Sequence, residues 1–600
     1  MKNLIPLSLL ATTVAARPGS APRDQAAATA YDYIVIGGGT SGLVVANRLS
    51  EDASVSVLVI EAGDSVLNNA NVTNANGYGL AFGTDIDYAY QTTAQTYANN
   101  ASTTLRAAKA LGGTSTINGM AYTRAEASQI DAWETVGNEG WNWDALLPYY
   151  LKSETFQAPD AERSIKGHIS YESDVHGHDG PLYTAYAYGS TNDSYPTSLN
   201  ATYQALNVPW KEDIAGGSMV GFASYPKTLN QDLNIRWDAA RAYYFPYENR
   251  TNLKVVLNTT AKKLTWASAT NGTDATASGV EITAADGTTS VVTANKEVII
   301  SAGALVSPLL LELSGVGNPA VLSQYGIETV VELPTVGENL QDQINNELIY
   351  SPPTNFTSTY DSGVGAFVAY PSASHVFGTN ESSASEELKS QLTAYADTVA
   401  IANGNVTKAS DLLDFFQLQY DLIFKDQVPF AEVLIYIAKG SWGAEYWGLL
   451  PFSRGSIHIS QANSTAGALI NPNYFMLDYD VELQVATAKF IRSVFGTGPF
   501  ASVAGTETTP GFDVIPADAD EATWKSWATK EYRSNFHPVA TAAMLPKEKG
   551  GVVDAQLKVY GTTNVRVVDA SVLPFQVCGH LVSTLYAVAE KASDLIKAAA

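Results

Sequence analysis

The chain has almost nothing to cross-link it and little positive charge. Cys578 is the one cysteine among 600 residues, so neither an intramolecular disulfide nor a thiolate metal cluster can form. Lys and Arg number 35 against 60 Asp and Glu, a formal net charge of -25. Such a surface repels phosphate backbones and anionic membranes and argues against nucleic acid as a partner. Past the N-terminus no apolar run reaches the ~18 uninterrupted residues of a membrane span. The nearest, 298–313, is broken by Gly303 and Pro308, and no span is expected. With 46% hydrophobic and 16% charged residues the chain is too apolar to be disordered and long enough for two domain-sized cores. Histidine is scarce as well, at 168, 176, 178, 375, 458, 537 and 580 only.

The first residues read as an address label: Lys2, an apolar run from Leu4 to Val14, then small residues at Ala15 and Ala16. This is the pattern of a signal peptide, 1–16, and predicts a secreted, extracellular protein. Acceptor triplets for N-glycosylation begin at Asn71, Asn100, Asn192, Asn200, Asn249, Asn258, Asn271, Asn355, Asn380, Asn405 and Asn463, which suits a glycosylated surface.

The mature chain opens with YDYIVIGGGTSGLVVANRLSEDASVSVLVIEAG. Tyr31–Ile36 reads as a buried parallel strand, 42–49 has helical spacing, and 55–60 is a second strand ending in Glu61. Between them, Gly37-x-Gly39-x-x-Gly42 has the spacing that lets backbone N–H groups and a helix start approach a pyrophosphate, while Glu61 stands where a ribose would be held. A second small-residue stretch, RAAKALGGTSTINGMAYTR at 106–124, has little periodicity. It looks like backbone laid along a large flat ligand, with Thr114 and Asn118 as polar contacts. Further on, 297–301 reads as a buried strand leading into a helix with Ser307 as N-cap, Pro308 in its first turn and Gly315 as its stop. Residues 252–257 and 280–282, around a turn at Asp286-Gly287, suit an antiparallel sheet beside the parallel one.

Two histidines stand out. His537 precedes Pro538, which predicts a helix over 539–544 with the imidazole at its positive end and therefore neutral. His580 follows Gly579 and opens a helical stripe through Leu581, Leu585, Val588, Ala592 and Leu595. His168, His176 and His178 are read as a solvated loop, since SDVHGHDGPL is rich in turn residues and lacks a third ligand at metal spacing; no metal is expected.

GGGTSG, GGTSTINGMAYTR, SAGALVSPLLLELSGVG, NFHPVATAAM and CGHLVSTLYA together resemble the signatures of the glucose-methanol-choline (GMC) oxidoreductases, over about 31–596. The C-terminal stretches are most similar to those of fungal glucose oxidases and, more so, flavin-dependent glucose dehydrogenases. The resemblance implies an α/β fold: a discontinuous Rossmann-like FAD-binding domain with a parallel sheet (28–120, 236–335, 530–600) and an α+β substrate domain with an antiparallel sheet (121–235, 336–529). It implies FAD as cofactor, with Gly37, Gly39, Thr40, Ser41, Gly42 and Glu61 toward the adenosine-diphosphate half. Thr114, Asn118, Gly119 and Ala121 would follow the ribityl chain and ring, Ala261 the adenine, and Ala570 and Val582 the ring system. His537 would be the base and His580 its partner, oriented by Glu432. Arg533, Asn535, Glu445 and Tyr78 would grip a sugar, and Trp237, Trp442 and Trp447 would suit its pocket. No histidine lies between Arg106 and Arg124, where some relatives tether the flavin, so a non-covalent cofactor is expected. The missing disulfide of glucose oxidases tilts the reading toward a dehydrogenase, with a quinone or other small electron acceptor, over an oxidase using oxygen. A hydroxynitrile lyase on the same fold and a non-catalytic dinucleotide-binding protein stay open.

Overall fold

A computed structural model describes residues 29–187, 195–267, 274–353, 367–438 and 440–599. The expected leader and the acceptor residues Asn192, Asn271 and Asn355 lie outside them.

Two seven-stranded sheets organise the chain. The parallel part of the first is built on short runs that are apolar at nearly every position, as strands covered on both faces require. Ala30–Ile36 pairs in parallel with Val57–Ile60 on one side and with Thr289–Ile300 on the other. Val57–Ile60 is buried at all four positions. The twelve-residue strand Thr289–Ile300 changes partners along its length. Its first half pairs antiparallel with Ala277–Thr283, and its last three residues pair in parallel with Val565–Val567 from near the C-terminus.

The second sheet is antiparallel throughout and runs Thr506–Thr509, Ile344–Ser351, Ser441–Gly448, Ala431–Ala438, Phe367–Tyr370, Gly221–Ser224, with Arg533–Ser534 pairing beside Ile344. Its inward side chains, among them Leu348, Trp442, Ala444 and Tyr446, form one core with the long helix Asp478–Gly496.

The helix Thr40–Leu49 and the C-terminal helix Leu581–Ala599 pack together beside the first sheet, tied by Arg48 and Glu590 at 2.7 Å and 2.8 Å. The C-terminal helix is buried beyond the expected stripe. Leu585 and Leu595 are half-buried, whereas Ser583, Thr584, Glu590 and Ser593 are fully covered. Each of these polar groups has a partner; Ser583 Oγ, for instance, donates to the Thr123 carbonyl at 2.5 Å, so burial does not strand it.

Four local expectations are corrected. Leu253–Val256 is not part of an antiparallel insertion but the edge strand of the parallel array, paired with Val57–Ile60. The helix at Ser307 has Val306 at its N-cap position, and the Ser307 hydroxyl donates instead to Asp569 at 2.5 Å. Residues 539–544 form no helix: Val539 N–H donates to the Gln341 carbonyl and Ala540 has φ +73°. Tertiary pairing here overrides the local proline signal.

His176 is the fourth. It is 3% exposed, stacks on Phe156 at 4.0 Å, and bonds Glu154 through Nδ1 at 3.1 Å and Asp213 through Nε2 at 3.0 Å. His178 alone of that pair is exposed. Among the described residues no group of three or more His, Cys, Asp or Glu is placed to hold a metal, and no helix is long and apolar enough to cross a membrane.

Burial favours a neutral His176, but Asp213 and Glu154 outweigh it and raise its pKa to about 9. His458, between Glu312 and Glu338, is raised against the same opposition to about 10. Both rings bind a proton more tightly folded than unfolded, so their contribution is complete below pH ~6.5 and disappears as pH climbs through 9 to 10. Thermal melts should therefore show a falling Tm between pH 7 and 10, with a shallower fall in His176→Asn; an equal slope in that variant would exclude His176 as a source.

Candidate active site

Between the sheets lies an open cavity of about 2230 Å³, its solvent-filled mouth included. It begins at the glycine turn. Gly37 has φ +105°, and a Cβ there would stand 2.3 Å from the Ser301 carbonyl oxygen. Gly42 is as constrained, since a Cβ would meet the Gly37 carbonyl at 2.0 Å. Gly39 caps the helix without a side-chain hydrogen bond, so the first N–H groups of that helix keep their capacity for an anion. Glu61 closes the turn by accepting from Gly38 and Gly63 N–H at 2.8 Å and 2.7 Å. Burial pushes its carboxyl up to about 7.

The second small-residue stretch runs along the same wall. Gly112 N–H donates to the Gly38 carbonyl, and Gly113 is packed so closely on Gly39 that a Cβ would come within 2.5 Å of its Cα. Asn118 accepts from Arg236 Nη1 at 2.7 Å and from Met120 N–H at 3.0 Å, which leaves its NH₂ for a ligand. Thr40, Ser41, Thr114, Gly119, Ala121, Ala261, Ala570 and Val582 all line the cavity. Gly42 shapes the turn from behind.

At the far end stand the two histidines. Their ring centroids are 5.3 Å apart and nearly perpendicular, and Trp447 presents a T-shaped contact to each, at 6.4 Å from His537 and 5.7 Å from His580. The segment carrying His537 is irregular, with Phe536 at φ +62°. It is held by Asp342, whose carboxylate accepts from His537 N–H at 2.9 Å and Ser534 Oγ at 2.5 Å. His580 sits at the start of the C-terminal helix, where Gly579 has φ +74°.

The rings have unlike partners. His580 Nε2 is 2.9 Å from the fully buried Glu432. His537 Nδ1 is 2.7 Å from Gln343 Oε1, with Asn535 Nδ2 at 3.2 Å. Burial, then the charges of His580 and Arg533, hold the His537 pKa well below the usual imidazole range. Its neutrality thus comes from desolvation rather than from the helix dipole inferred from Pro538.

Arg533, beside the cavity on the short strand next to Ile344, pairs with Glu445 at 2.8 Å. Burial opposes its charge, and Glu445 more than restores it. Tyr78 lies edge-on to Phe82 at 5.4 Å, and burial raises its hydroxyl to about 12. Of the tryptophans singled out, only Trp447 reaches the cavity. Trp237 is taken up by Tyr183 and the Pro181 carbonyl, and Trp442 by the core around Phe500.

Several residues at the cavity wall or just behind it carry no signal in the sequence. Glu347 is the cross-strand neighbour of Glu445, which the resemblance singles out, and Tyr436 on the third strand donates its hydroxyl to Glu347. Gln343, Asp569 and Phe536 were equally hidden. The polar triplet Gln341-Asp342-Gln343 between the apolar Leu340 and Ile344 was the one local clue, because buried polar runs need a reason.

Family models for GMC oxidoreductases match residues 31–345 and 451–589. The chain is a GMC oxidoreductase. This member is 44% identical over 577 residues to the glucose oxidase-like protein fsoC of Humicola fuscoatra, covering 96% of each chain. It is 35% identical over 616 residues to a glucose oxidase of Aspergillus carbonarius, covering 100% of this chain and 99% of that one. Among solved structures, an FAD-dependent oxidoreductase from Chaetomium thermophilum superposes with a TM-score of 0.85 at 27% identity, over 95% of this chain and 99% of the other.

Two glycines of this GMC turn, Gly42 and Gly39, separate folding from binding. Gly42→Ala forces a methyl into backbone and should cost about 1–3 kcal/mol, read as a Tm several degrees lower. In Gly39→Ala the methyl meets only Gly113 Cα at 3.6 Å, so Tm should stay near wild type while affinity for ADP, measured by calorimetry, falls. Unchanged ADP affinity would remove the phosphate from this helix start.

Proposed function

We propose that this protein is a secreted, FAD-dependent enzyme that oxidises the anomeric C1 hydroxyl of glucose, or of a similar aldose, to the lactone. The observation that carries the reading is the pair of unlike imidazoles at one end of a cavity whose other end is a glycine turn. In this reading FAD is held non-covalently, its adenosine-diphosphate half by Gly37, Gly39, Thr40, Ser41 and Glu61, with Ala261 at the adenine. Thr114, Asn118, Gly119, Ala121, Ala570 and Val582 hold the remainder. When bound, it supplies a hydride acceptor at N5.

The chain's own residues handle the proton and the orientation. As C1 loses a hydride with its electron pair, the hydroxyl O–H bond breaks, its proton passes to His537 Nε2, and the C=O bond forms. A ring kept neutral by burial is ready to accept that proton. His580, steadied by Glu432, hydrogen-bonds the same oxygen. The Arg533–Glu445 pair offers donors and acceptors together with little net charge, which suits a neutral polyol, and Asn535 and Tyr78 complete the grip.

Export belongs to this reading, supported by the leader-like first residues and by the exposed acceptor residues Asn100, Asn249, Asn258, Asn380, Asn405 and Asn463. The electrons then pass to a quinone or similar small acceptor. A second reading, oxygen as acceptor with release of hydrogen peroxide, is favoured by the oxidase names of the relatives.

Mixing the holoenzyme anaerobically with glucose should bleach the flavin absorbance; an unchanged spectrum together with cyanohydrin cleavage would favour a lyase instead. Peroxide yield against dye reduction then separates the two acceptors. His537→Ala should keep its flavin and lose at least ~100-fold in turnover, and near-normal turnover would refute the assignment of the base.

A further inference from the structure

We infer that Gln343 is a positioning residue that fixes the tautomer of His537, holding the proton on Nδ1 so that the lone pair of Nε2 faces the substrate. The inference rests on the reading that His537 is the base.

Gln343 is completely buried, at the start of the strand beside Arg533–Ser534. Its amide cannot turn over freely. Nε2 donates to two backbone carbonyls, Leu449 at 3.1 Å and Val577 at 3.4 Å. Reversing the amide would set its oxygen against both, acceptor facing acceptor. The side-chain oxygen is therefore the atom 2.7 Å from His537 Nδ1. A carboxamide oxygen only accepts, so Nδ1 must carry the hydrogen; an unprotonated Nδ1 would bring two lone pairs together inside the protein, at the cost of two buried unsatisfied acceptors.

Asn535 does not reverse this. Its Nδ2 lies farther away, at 3.2 Å, and its Oδ1 is engaged by Asn345 Nδ2 at 3.0 Å. A neutral imidazole holding its hydrogen on Nδ1 has its free pair on Nε2, and Nε2 has no hydrogen-bond partner among the described residues in a ring that lines the cavity.

The same residue ties the ring to the backbone around it. Its carbonyl accepts from Asn535 N–H at 2.8 Å, and its N–H donates to Asp342 Oδ1 at 3.0 Å. Ring, amide and loop are thus held in one register.

A charge at position 343 acts on the ring directly. The other charged or titratable groups around His537 are Asp342 at its backbone, Arg533 on its own segment, His580 with Glu432 behind it, and Glu445 across the cavity. None of them faces Nδ1, whose partners are the neutral amides of Gln343 and Asn535, so Gln343→Glu places a charge where there was none.

The test measures the limiting rate of anaerobic flavin reduction by glucose, and its half-saturating concentration, from pH 4.5 to 9 in the holoenzyme. Gln343→Met, similar in shape but without an acceptor, should lower the limiting rate at least ~10-fold at every pH and leave half-saturation within about threefold, since a misassigned tautomer removes the base without removing binding. Gln343→Glu keeps an acceptor for Nδ1–H and adds charge. It should recover most of the rate at alkaline pH and shift the acid limb up by about one pH unit or more.

Wild-type rates in both variants, or equal losses with an unmoved acid limb, would reduce Gln343 to packing. Should Gln343→Met not fold, the acid limb of Gln343→Glu decides alone. His537→Ala separates the two levels: if it reduces flavin as fast as wild type, the base itself is misassigned. If it is slow while the Gln343 variants behave as wild type, only the tautomer inference falls.

Discussion

One carboxylate organises the reactive end of the molecule. Asp342 is fully enclosed and accepts from the backbone N–H of His537 and Gln343, from Ser534 and from the Tyr474 hydroxyl. Burial raises its pKa, and those donors work against that rise. A buried carboxylate is tolerable only when its lone pairs are met, and here meeting them bends residues 534–537 into an irregular turn that neither propensity nor a helix would produce. The position of His537 follows from that turn, and so does the junction between the antiparallel sheet and the chain's return to the parallel one.

Around this junction the two imidazoles are made chemically different by what stands behind them. Behind His580 stands the carboxylate of Glu432, whereas behind His537 stands the neutral amide of Gln343, where desolvation favours the uncharged ring. Unlike partners for like residues separate their roles without any change of residue type, the general logic of paired acid and base groups. Trp447 makes a T-shaped contact with each ring.

The strand–turn–helix opening was legible because its information is local: continuous apolar runs, three glycines at fixed spacing and an acid at the second strand's end. The same holds for His537 and His580, each flagged by the Pro or Gly beside it. Yet the reason given for His537 was wrong, since Pro538 leads into a backbone pairing with Gln341 rather than into a helix. What stayed hidden depends on register. Glu347 and Tyr436 join Glu445, which the resemblance singles out, only once three strands align, and Gln343 meets the ring across 194 residues of chain. His176 misled in the opposite direction. Turn residues around it suggested solvent, but two distant carboxylates draw the ring inside, and a partner that far along the chain leaves no mark beside the histidine.

The solitary thiol of Cys578, 0% exposed and with its pKa raised by burial, has a consequence for biosynthesis. A chain without a second thiol has no internal disulfide to mispair and needs no disulfide isomerase or oxidant to form one. Its maturation is thereby indifferent to the redox poise of the compartment in which it folds, and reducing agents leave its covalent structure as it was.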